Sequence, residues 1–278
     1  MSPRSKAITT LIAVALLWST SGYFLILIDW HPIAITGTRS AVALIPLLLM
    51  FGKPRPIKGA AAIVATLSYA SMLFLFVTAN QLTTVANVIL LQYSAPVYVA
   101  ILSVWLLKEK LTKADIITLC IVMVGLVVFF MDDLDMRGMW GNILAILSGV
   151  TLAGMNVSFR MMKDSYIRPA DAVIWGNIIC VVIGVPFGLF YGLPGPVSWL
   201  GIGFLGLFQL GLSYGLYVKS VKHLTALELT LIPMIEVFLN PLIVAVLAFQ
   251  IPSTFAIIGG VAVVGSVTWN LVRKQRQS

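Results

Sequence analysis

Long apolar runs separated by short polar stretches dominate this chain. No Asp, Glu, Lys or Arg occurs from Gly59 to Leu107, and none occurs from Val237 to Val272. Uncharged apolar runs of about 18 or more residues are typical of membrane spans, and each of these regions is long enough for two helices and a turn. The runs are continuously apolar and lack the alternation of barrel strands, which favours helices.

Division of the chain at charges, Pro/Gly clusters and polar turns predicts ten transmembrane helices. They lie near residues 7–28, 32–51, 59–80, 85–107, 114–131, 138–159, 170–191, 197–218, 226–249 and 254–272. Each is long enough to cross a hydrocarbon core of about 30 Å. The first segment is interpreted as a span, because its apolar run is longer than that of a cleaved signal peptide. The sequence therefore predicts an all-α integral membrane protein.

The composition supports this fold class. The chain has 278 residues, of which 60% are hydrophobic and 10% are charged, whereas soluble domains carry about 25% charged residues. A soluble globule of this size is therefore excluded. Both cysteines, Cys120 and Cys180, lie inside apolar spans and indicate neither a disulfide nor a metal site. We expect no cofactor, and the chain carries no nucleotide-binding loop for ATP.

The basic residues indicate the topology of the chain. Of its 18 Lys and Arg residues, sixteen lie in the terminal segments and in alternate loops, while the opposite loops hold only Arg137 together with several Asp residues. Because cytoplasmic loops retain Lys and Arg, both termini are predicted to be cytoplasmic, in a cell inner (plasma) membrane. The net charge of +8 is thereby explained without a nucleic-acid partner.

An internal repeat relates the two halves of the chain. The segments 86–112 and 227–253 align at an offset of 141 residues, and each has a polar turn, an apolar span with Pro and a short stop. We predict one five-helix repeat over residues 1–135 and a second over 136–278. Because five is odd, the second repeat must enter the membrane in the opposite orientation. Such inverted repeats are typical of secondary transporters, with the substrate site near the midplane.

The run from Thr84 to Tyr98, followed by Lys108-Glu109-Lys110-Leu111-Thr112, resembles the fourth helix of the ten-helix EamA branch of the drug/metabolite transporter superfamily. Trp18-Ser19 and the spacing from Pro32 to Arg39 are also similar to that branch. The resemblance implies two inverted five-helix bundles around a central cavity, lined mostly by helices 1, 3, 4, 6, 8 and 9. It also implies export of amino acids, related amines or foreign compounds from a bacterial cytoplasm. Gln250 and Val237 depart from the family pattern, which usually has Glu and Pro at these places.

Glu236 is the main candidate for substrate binding and for coupling. It lies ten residues into the ninth span, about 15 Å deep and near the midplane. A charge there costs at least about 2.5–3.5 kcal/mol unless it is paired or hydrated. It is either a ligand for a substrate amine or a proton carrier, or else a hydrogen-bonded Glu that holds helices together. Pro233 and Pro241 would free backbone carbonyls beside it, next to a further candidate, Asn240.

Other candidates for substrate contact lie on several helices. Gln92 and Tyr93 belong to the fourth span, where the alternative role is interhelical hydrogen bonding. A second group lies deeper than the aromatic belts that mark membrane interfaces; its members are Trp18, Tyr69, Asn156 and Tyr214.

Arg39 lies inside the second span and has several interpretations. It could attract a substrate carboxylate, or pair with Glu236 in one conformation. The alternative is a structural arginine that caps helix ends or pairs with Asp29.

These features predict a secondary active transporter, an exporter of small polar metabolites that works by alternating access with proton coupling. The expected partners are the substrate, protons and the lipid bilayer, with the chain as a monomer or a weak homodimer. One alternative is an intramembrane enzyme that uses Ser213, which lies in a Gly211-x-Ser213-x-Gly215 motif. Another is an uncoupled facilitator or channel-like protein.

Overall fold

The computed structural model describes residues 2–20, 24, 27–132, 138–239 and 253–277. These ranges contain ten helical segments and no strand, which confirms the predicted fold class. The segments are α1 (Pro3–Ser19), α2 (Pro32–Phe51), α3 (Ala60–Leu82), α4 (Val85–Leu107), α5 (Lys113–Phe129), α6 (Met139–Met161), α7 (Pro169–Phe190), α8 (Pro196–Ser220), α9 (Ala226–Leu231, continued by a 3₁₀ turn over Pro233–Ile235) and α10 (Thr254–Gln277).

The described helices expose apolar side chains and bury polar ones. Seven of them, α2, α3, α4, α6, α7, α8 and α10, are long and apolar enough to cross a bilayer. On the outside, Leu49 is 83% exposed and Leu189 is 78% exposed, whereas Asn156 and Asn177 are buried inside. Because monomeric soluble proteins rarely carry apolar surfaces of this extent, the outside of the bundle is suited to lipid.

Helix α1 begins at Pro3, earlier than the predicted start near residue 7. The Ser2 hydroxyl oxygen accepts a hydrogen bond from the Ser5 N–H at 3.1 Å, and Pro3 occupies the first turn, where its missing N–H costs nothing. Arg4 and Lys6 therefore lie on the helix rather than in a loop. The predicted start was wrong because it followed hydropathy and ignored the cap.

Several of the described helices are irregular near their middle. Helix α4 is interrupted at Tyr93 and Ser94, just before Pro96, and α9 changes to a 3₁₀ turn at Pro233. Proline has no N–H and therefore interrupts the hydrogen-bond ladder. Helix α8 is π-helical over Leu205–Leu212, a form that is frequent at functional sites.

Helices α2 and α7 pack antiparallel along their length. Near the start of α2, Gly37 faces Gly184 near the end of α7 so closely that a methyl group on Gly37 would lie 2.5 Å from the Cα of Gly184. At the other end, the Phe51 carbonyl accepts a hydrogen bond from Arg168, just before α7, at 3.1 Å. Paired glycines of this kind let helix backbones approach closely in membranes.

The helix packing follows the internal repeat. Helices α5 and α10 also pack antiparallel, with Gly125 beside Gly259 at one end and Asp115 hydrogen-bonded to Asn270 at the other. Both antiparallel pairs join helices in the same place of each repeat. In addition, α1 packs on α8 and α3 packs on α6. These two contacts are equivalent, because each joins the first helix of one repeat to the third helix of the other. A two-fold axis in the membrane plane produces this pattern, so the packing has the predicted inverted symmetry.

The N-termini of α4 and α9 show the inversion directly. Thr84 accepts a hydrogen bond from the Asn87 N–H at 3.2 Å, and Thr225 accepts one from the Glu228 N–H at 3.3 Å. Each residue pair is related by the same offset of 141 positions. The cap of α4 lies beside the start of α6, at Asn142, whereas the cap of α9 lies at the opposite end of the bundle.

We predict that Gly37→Ala destabilises the protein, because the added methyl group would force α2 away from α7. Overpacking of this kind costs about 1–3 kcal/mol, so the thermal unfolding midpoint of the purified protein in detergent should fall. Gly203→Ala on α8 is the matched control, since a methyl group there meets no atom within 4 Å. Equal midpoints for the two variants would contradict close α2–α7 packing.

Candidate functional site

Most of the described basic residues in loops and at helix ends lie at one end of the bundle, here called the basic end. Arg4 pairs with Glu228 at 2.6 Å, and Lys274 lies 3.3 Å from Glu228 and 2.8 Å from Asp115. A second ion pair joins Arg160 to Glu109 at 2.8 Å. We call these six residues the basic-end network: Arg4, Glu109, Asp115, Arg160, Glu228 and Lys274. The charge pattern predicts that the terminal segments and alternate loops share one side of the membrane, and in the structure their charged residues lie together at one end of the bundle.

The basic-end network ties helices of both repeats to one another. Glu228 caps α9 by accepting from the Thr225 N–H at 3.0 Å while it binds Arg4 of α1. Glu109, which follows α4, also accepts from the Ala226 N–H at the start of α9, at 3.1 Å. The side chain of Glu228 is only 4% exposed, so removal of its partners would leave a buried charge. In this structure the network therefore joins the two repeats at the basic end.

Glu236 lies on α9, eight residues beyond Glu228 and about 12 Å deeper. It directly follows the 3₁₀ turn at Pro233. The side chain is half-buried, and it makes no hydrogen bond or ion pair with the described part of the chain. Among these residues, no contact therefore supports the alternative in which Glu236 holds helices together by hydrogen bonds. Asn240, the further candidate of the ninth predicted span, lies outside the described residues.

Three of the candidates from separate helices meet in an aromatic cluster. The ring of Trp18 on α1 lies 5.2 Å from that of Tyr214 on α8, and the Tyr214 ring lies 4.9 Å from that of Tyr69 on α3. Tyr217 completes the cluster, with its ring stacked 5.7 Å from Trp18. Sequence reasoning missed Tyr217, although its spacing of three residues from Tyr214 places both on one helix face.

Asn156 connects the aromatic cluster to α9. Its Nδ2 donates to the Thr230 hydroxyl at 2.9 Å, and its Oδ1 accepts from the Tyr217 hydroxyl at 2.7 Å. The Tyr217 oxygen also lies 2.9 Å from the Leu229 carbonyl. These contacts link α6, α8 and α9 through buried hydrogen bonds. Asn156 therefore acts as a connector between helices in this structure.

Gln92 and Tyr93 lie where α4 packs against α6. Gln92 donates to the Ser148 hydroxyl at 2.7 Å, and Tyr93 is buried. Gln92 thus forms an interhelical hydrogen bond of the kind considered from the sequence. Neither residue belongs to the aromatic cluster.

Arg39 is buried on α2, with only 1% of its surface exposed. Its Nε and Nη1 atoms have no hydrogen-bond partner. The phenol groups of Tyr69 and Tyr214 lie within electrostatic range of the guanidinium, so Arg39 borders the aromatic cluster. Among the described residues, neither Asp29 nor Glu236 pairs with it, and both pairings considered from the sequence are absent from this structure.

Ser213 lies inside α8 and is held by the aromatic cluster. Its hydroxyl oxygen accepts from the Trp18 Nε1 at 2.8 Å and donates to the Gln209 carbonyl. His31 precedes α2 at the end of the bundle opposite the basic end, where it stacks on Tyr191 at 4.2 Å. Ser213 thus has a structural hydrogen bond where a nucleophile would need a base.

The helical membrane architecture, the inverted packing and the polar centre define a multi-pass membrane protein of the transporter class. The EamA-like transporter family model matches residues 5–131 and 139–272, one match in each half. The chain belongs to the EamA-like transporter family. The resemblance noted from the fourth helix and the two-repeat architecture are thereby confirmed.

Individual proteins are similar to parts or to the whole of this chain. An uncharacterized transporter of Helicobacter pylori strain J99 is 29% identical over 133 residues, which cover 43% of this chain and 45% of that protein. A second uncharacterized transporter, from Helicobacter pylori strain 26695, is 29% identical over 134 residues with the same coverage. These matches span less than half the length of the relatives. A solved crystal structure aligns over 99% of both chains with a TM-score of 0.81 and 18% identity, which shows a shared fold.

We predict that Tyr217→Phe destabilises the protein, because its hydroxyl joins Asn156 and the Leu229 carbonyl in a buried site. Loss of a buried hydrogen-bond partner costs about 1–3 kcal/mol, so the thermal unfolding midpoint should fall. Tyr214→Phe is the matched control, since the Tyr214 hydroxyl contacts only the Met72 sulfur, at 3.9 Å, among the described residues. A larger loss of stability in the Tyr214 variant would contradict this assignment.

Proposed function

We propose that this protein is a secondary active transporter that exports small polar metabolites, such as amino acids, amines or drugs, by alternating access. The observation that carries this proposal is Glu236. Its carboxylate lies deep in the bundle, after a break in α9, and has no partner in the described part of the chain. An ionisable group inside a membrane protein is expensive and typically marks a substrate or ion pathway.

The inverted symmetry of the bundle supports alternating access. Two halves of the same architecture and opposite orientation can adopt two related arrangements around a central site. The basic-end network holds one of these arrangements, and we assign it to the arrangement in which the basic end is closed. Transport would require these ion pairs to separate as the halves rock, so that the central site opens to the basic end.

The charge distribution supports an orientation for this transporter. The rule that cytoplasmic loops retain Lys and Arg favours a cytoplasmic basic end, with both termini on that side of the inner (plasma) membrane. In this proposal residues 1–135 and 136–278 form the two moving halves, and the chain works as a monomer or a weak homodimer. The closed basic end then corresponds to the state that releases an exported substrate outside.

Glu236 is suited to proton coupling as well as to amine binding. A carboxylate that is half-buried and unpaired can exchange protons with water in a central cavity, and it can also bind a cationic amine. If protons and substrate compete for this group, inward movement of protons drives outward movement of substrate. The proposal assigns both roles to Glu236.

We predict that Glu236→Gln abolishes proton-driven transport while expression and folding are retained. Amide and carboxyl have nearly the same shape, so the variant removes only the charge and the titratable proton. The measurement is movement of a mixture of radiolabelled amino acids across proteoliposomes with and without a pH gradient. The wild type should respond to the gradient, and the variant should not.

Asp164→Asn serves as the matched control, because Asp164 is 77% exposed and its ion pair with Lys163 is long, at 3.8 Å. It should transport like the wild type. A Glu236→Gln variant that responds to the pH gradient like the wild type would show that this charge does not couple transport. A wild type that moves no tested compound, amines and drugs included, under any gradient would contradict the proposed function itself.

A further inference from the structure

Arg39 is a charged group with open hydrogen-bond donors inside the bundle. Its Nε and Nη1 atoms are both buried, and neither reaches an acceptor. The groups that act on it electrostatically are Tyr69, Tyr214 and Cys180, which are neutral in their ordinary protonation states at neutral pH. The guanidinium thus has no anionic partner among the described residues.

An unpaired buried guanidinium is an unfavourable arrangement for a resting protein. Arginine stays charged in proteins, and a buried charge without a partner destabilises the fold strongly. Arginines that serve structure here are paired: Arg168 binds Asp171 at 2.6 Å and also the Phe51 carbonyl. Arg39 has no equivalent contacts, so a role in stabilising the empty protein does not account for it.

Two buried acceptor oxygens beside the aromatic cluster are also open. The Oδ1 of Asn177 and the Oε1 of Gln209 have no hydrogen-bond partner. The Asn177 side chain donates to the Tyr69 hydroxyl at 3.0 Å, and the backbone carbonyl of Gln209 accepts from the Trp18 Nε1 at 3.1 Å. Each of these acceptors belongs to a residue that contacts the aromatic cluster, on α7 and on α8, and Arg39 borders the same cluster from α2. A ligand with an anionic group and N–H or O–H donors would complement both the open donors of Arg39 and these acceptors.

We propose that Arg39 binds the carboxylate of the transported substrate, so that the substrate class is amino acids and related carboxylates rather than simple amines. A single guanidinium matches a single carboxylate in charge, and its fork of N–H groups can bind both carboxylate oxygens. The open acceptors of Asn177 and Gln209 accept hydrogen bonds from the rest of the substrate. This inference rests on the proposed transport function and assigns its substrate class.

The test uses matched compounds that differ only in the group that meets Arg39. Thermal unfolding of the purified wild type is measured with L-phenylalanine, L-phenylalaninamide and phenethylamine, then with L-leucine, L-leucinamide and isopentylamine, and with inorganic phosphate. A ligand that binds the folded state raises the unfolding midpoint. We expect at least one of the two acids to stabilise the protein at concentrations about 30-fold or more below those that its amide or amine requires.

Arg39→Met separates binding from structure. This variant should lose the response to the acid, while its unfolding midpoint without ligand equals or exceeds that of the wild type, because an unpaired buried charge is removed. Arg168→Met is the matched control: it breaks an observed ion pair, so it should lower the midpoint and keep the preference for the acid. If Arg39→Met does not fold, the carboxylate assignment is still tested by the compound series on the wild type and by the response of Arg39→Lys to the acid.

Each contrary result has a distinct meaning. A wild type stabilised equally by acid, amide and amine would overturn the carboxylate assignment, and so would stabilisation by phosphate alone. An Arg39→Met variant that keeps the response to the acid would overturn the role of Arg39. In these cases, transport of the responding compounds in proteoliposomes would leave the proposed function standing. A wild type that neither binds nor moves any of these compounds overturns the substrate class, and only the wider transport assay with amines and drugs decides the function.

Discussion

The hydrocarbon interior of a bilayer offers no hydrogen-bond partners, and this constraint governs the whole molecule. Backbone groups are satisfied within helices, and most polar side chains inside the bundle find partners on other helices. Gln92 binds Ser148, and Asn156 binds both Thr230 and Tyr217. A buried polar group without a partner is therefore informative, because it destabilises the fold and makes no contact that compensates for this.

The unpartnered charges and the paired charges occupy different places in the fold. The ion pairs of the basic-end network lie where backbone N–H groups at helix starts also bind the carboxylates, and they join helices of both repeats. Glu236 and Arg39 lie deeper, on α9 and α2, and have no charged partner in the described residues. In the proposed carrier, the pairs hold one arrangement of its halves and the free groups bind cargo. The inverted packing of the repeats provides the two halves.

Hydropathy and charge in the sequence predict much of this fold, because a bilayer sets the length of a span and the loops sort by charge. The predicted bounds of α4 agree with the structure, and the aromatic cluster unites Trp18, Tyr69 and Tyr214 as candidates. The start of α1 was missed because a serine cap adds polar residues to the helix. The bond from Gln92 to Ser148 and the role of Tyr217 depend on helix rotation, which hydropathy does not determine.

We propose that this protein is a carrier, which binds its cargo at one site and exposes that site to each side in turn. Counterflow tests this most directly. Proteoliposomes loaded with an unlabelled amino acid mixture are diluted into a trace of the same labelled mixture. A carrier exchanges inner for outer molecules, so the label should accumulate transiently above its equilibrium level and then decline. Entry of the label that rises to equilibrium without an overshoot would contradict the account, because a channel does not exchange one bound molecule for another.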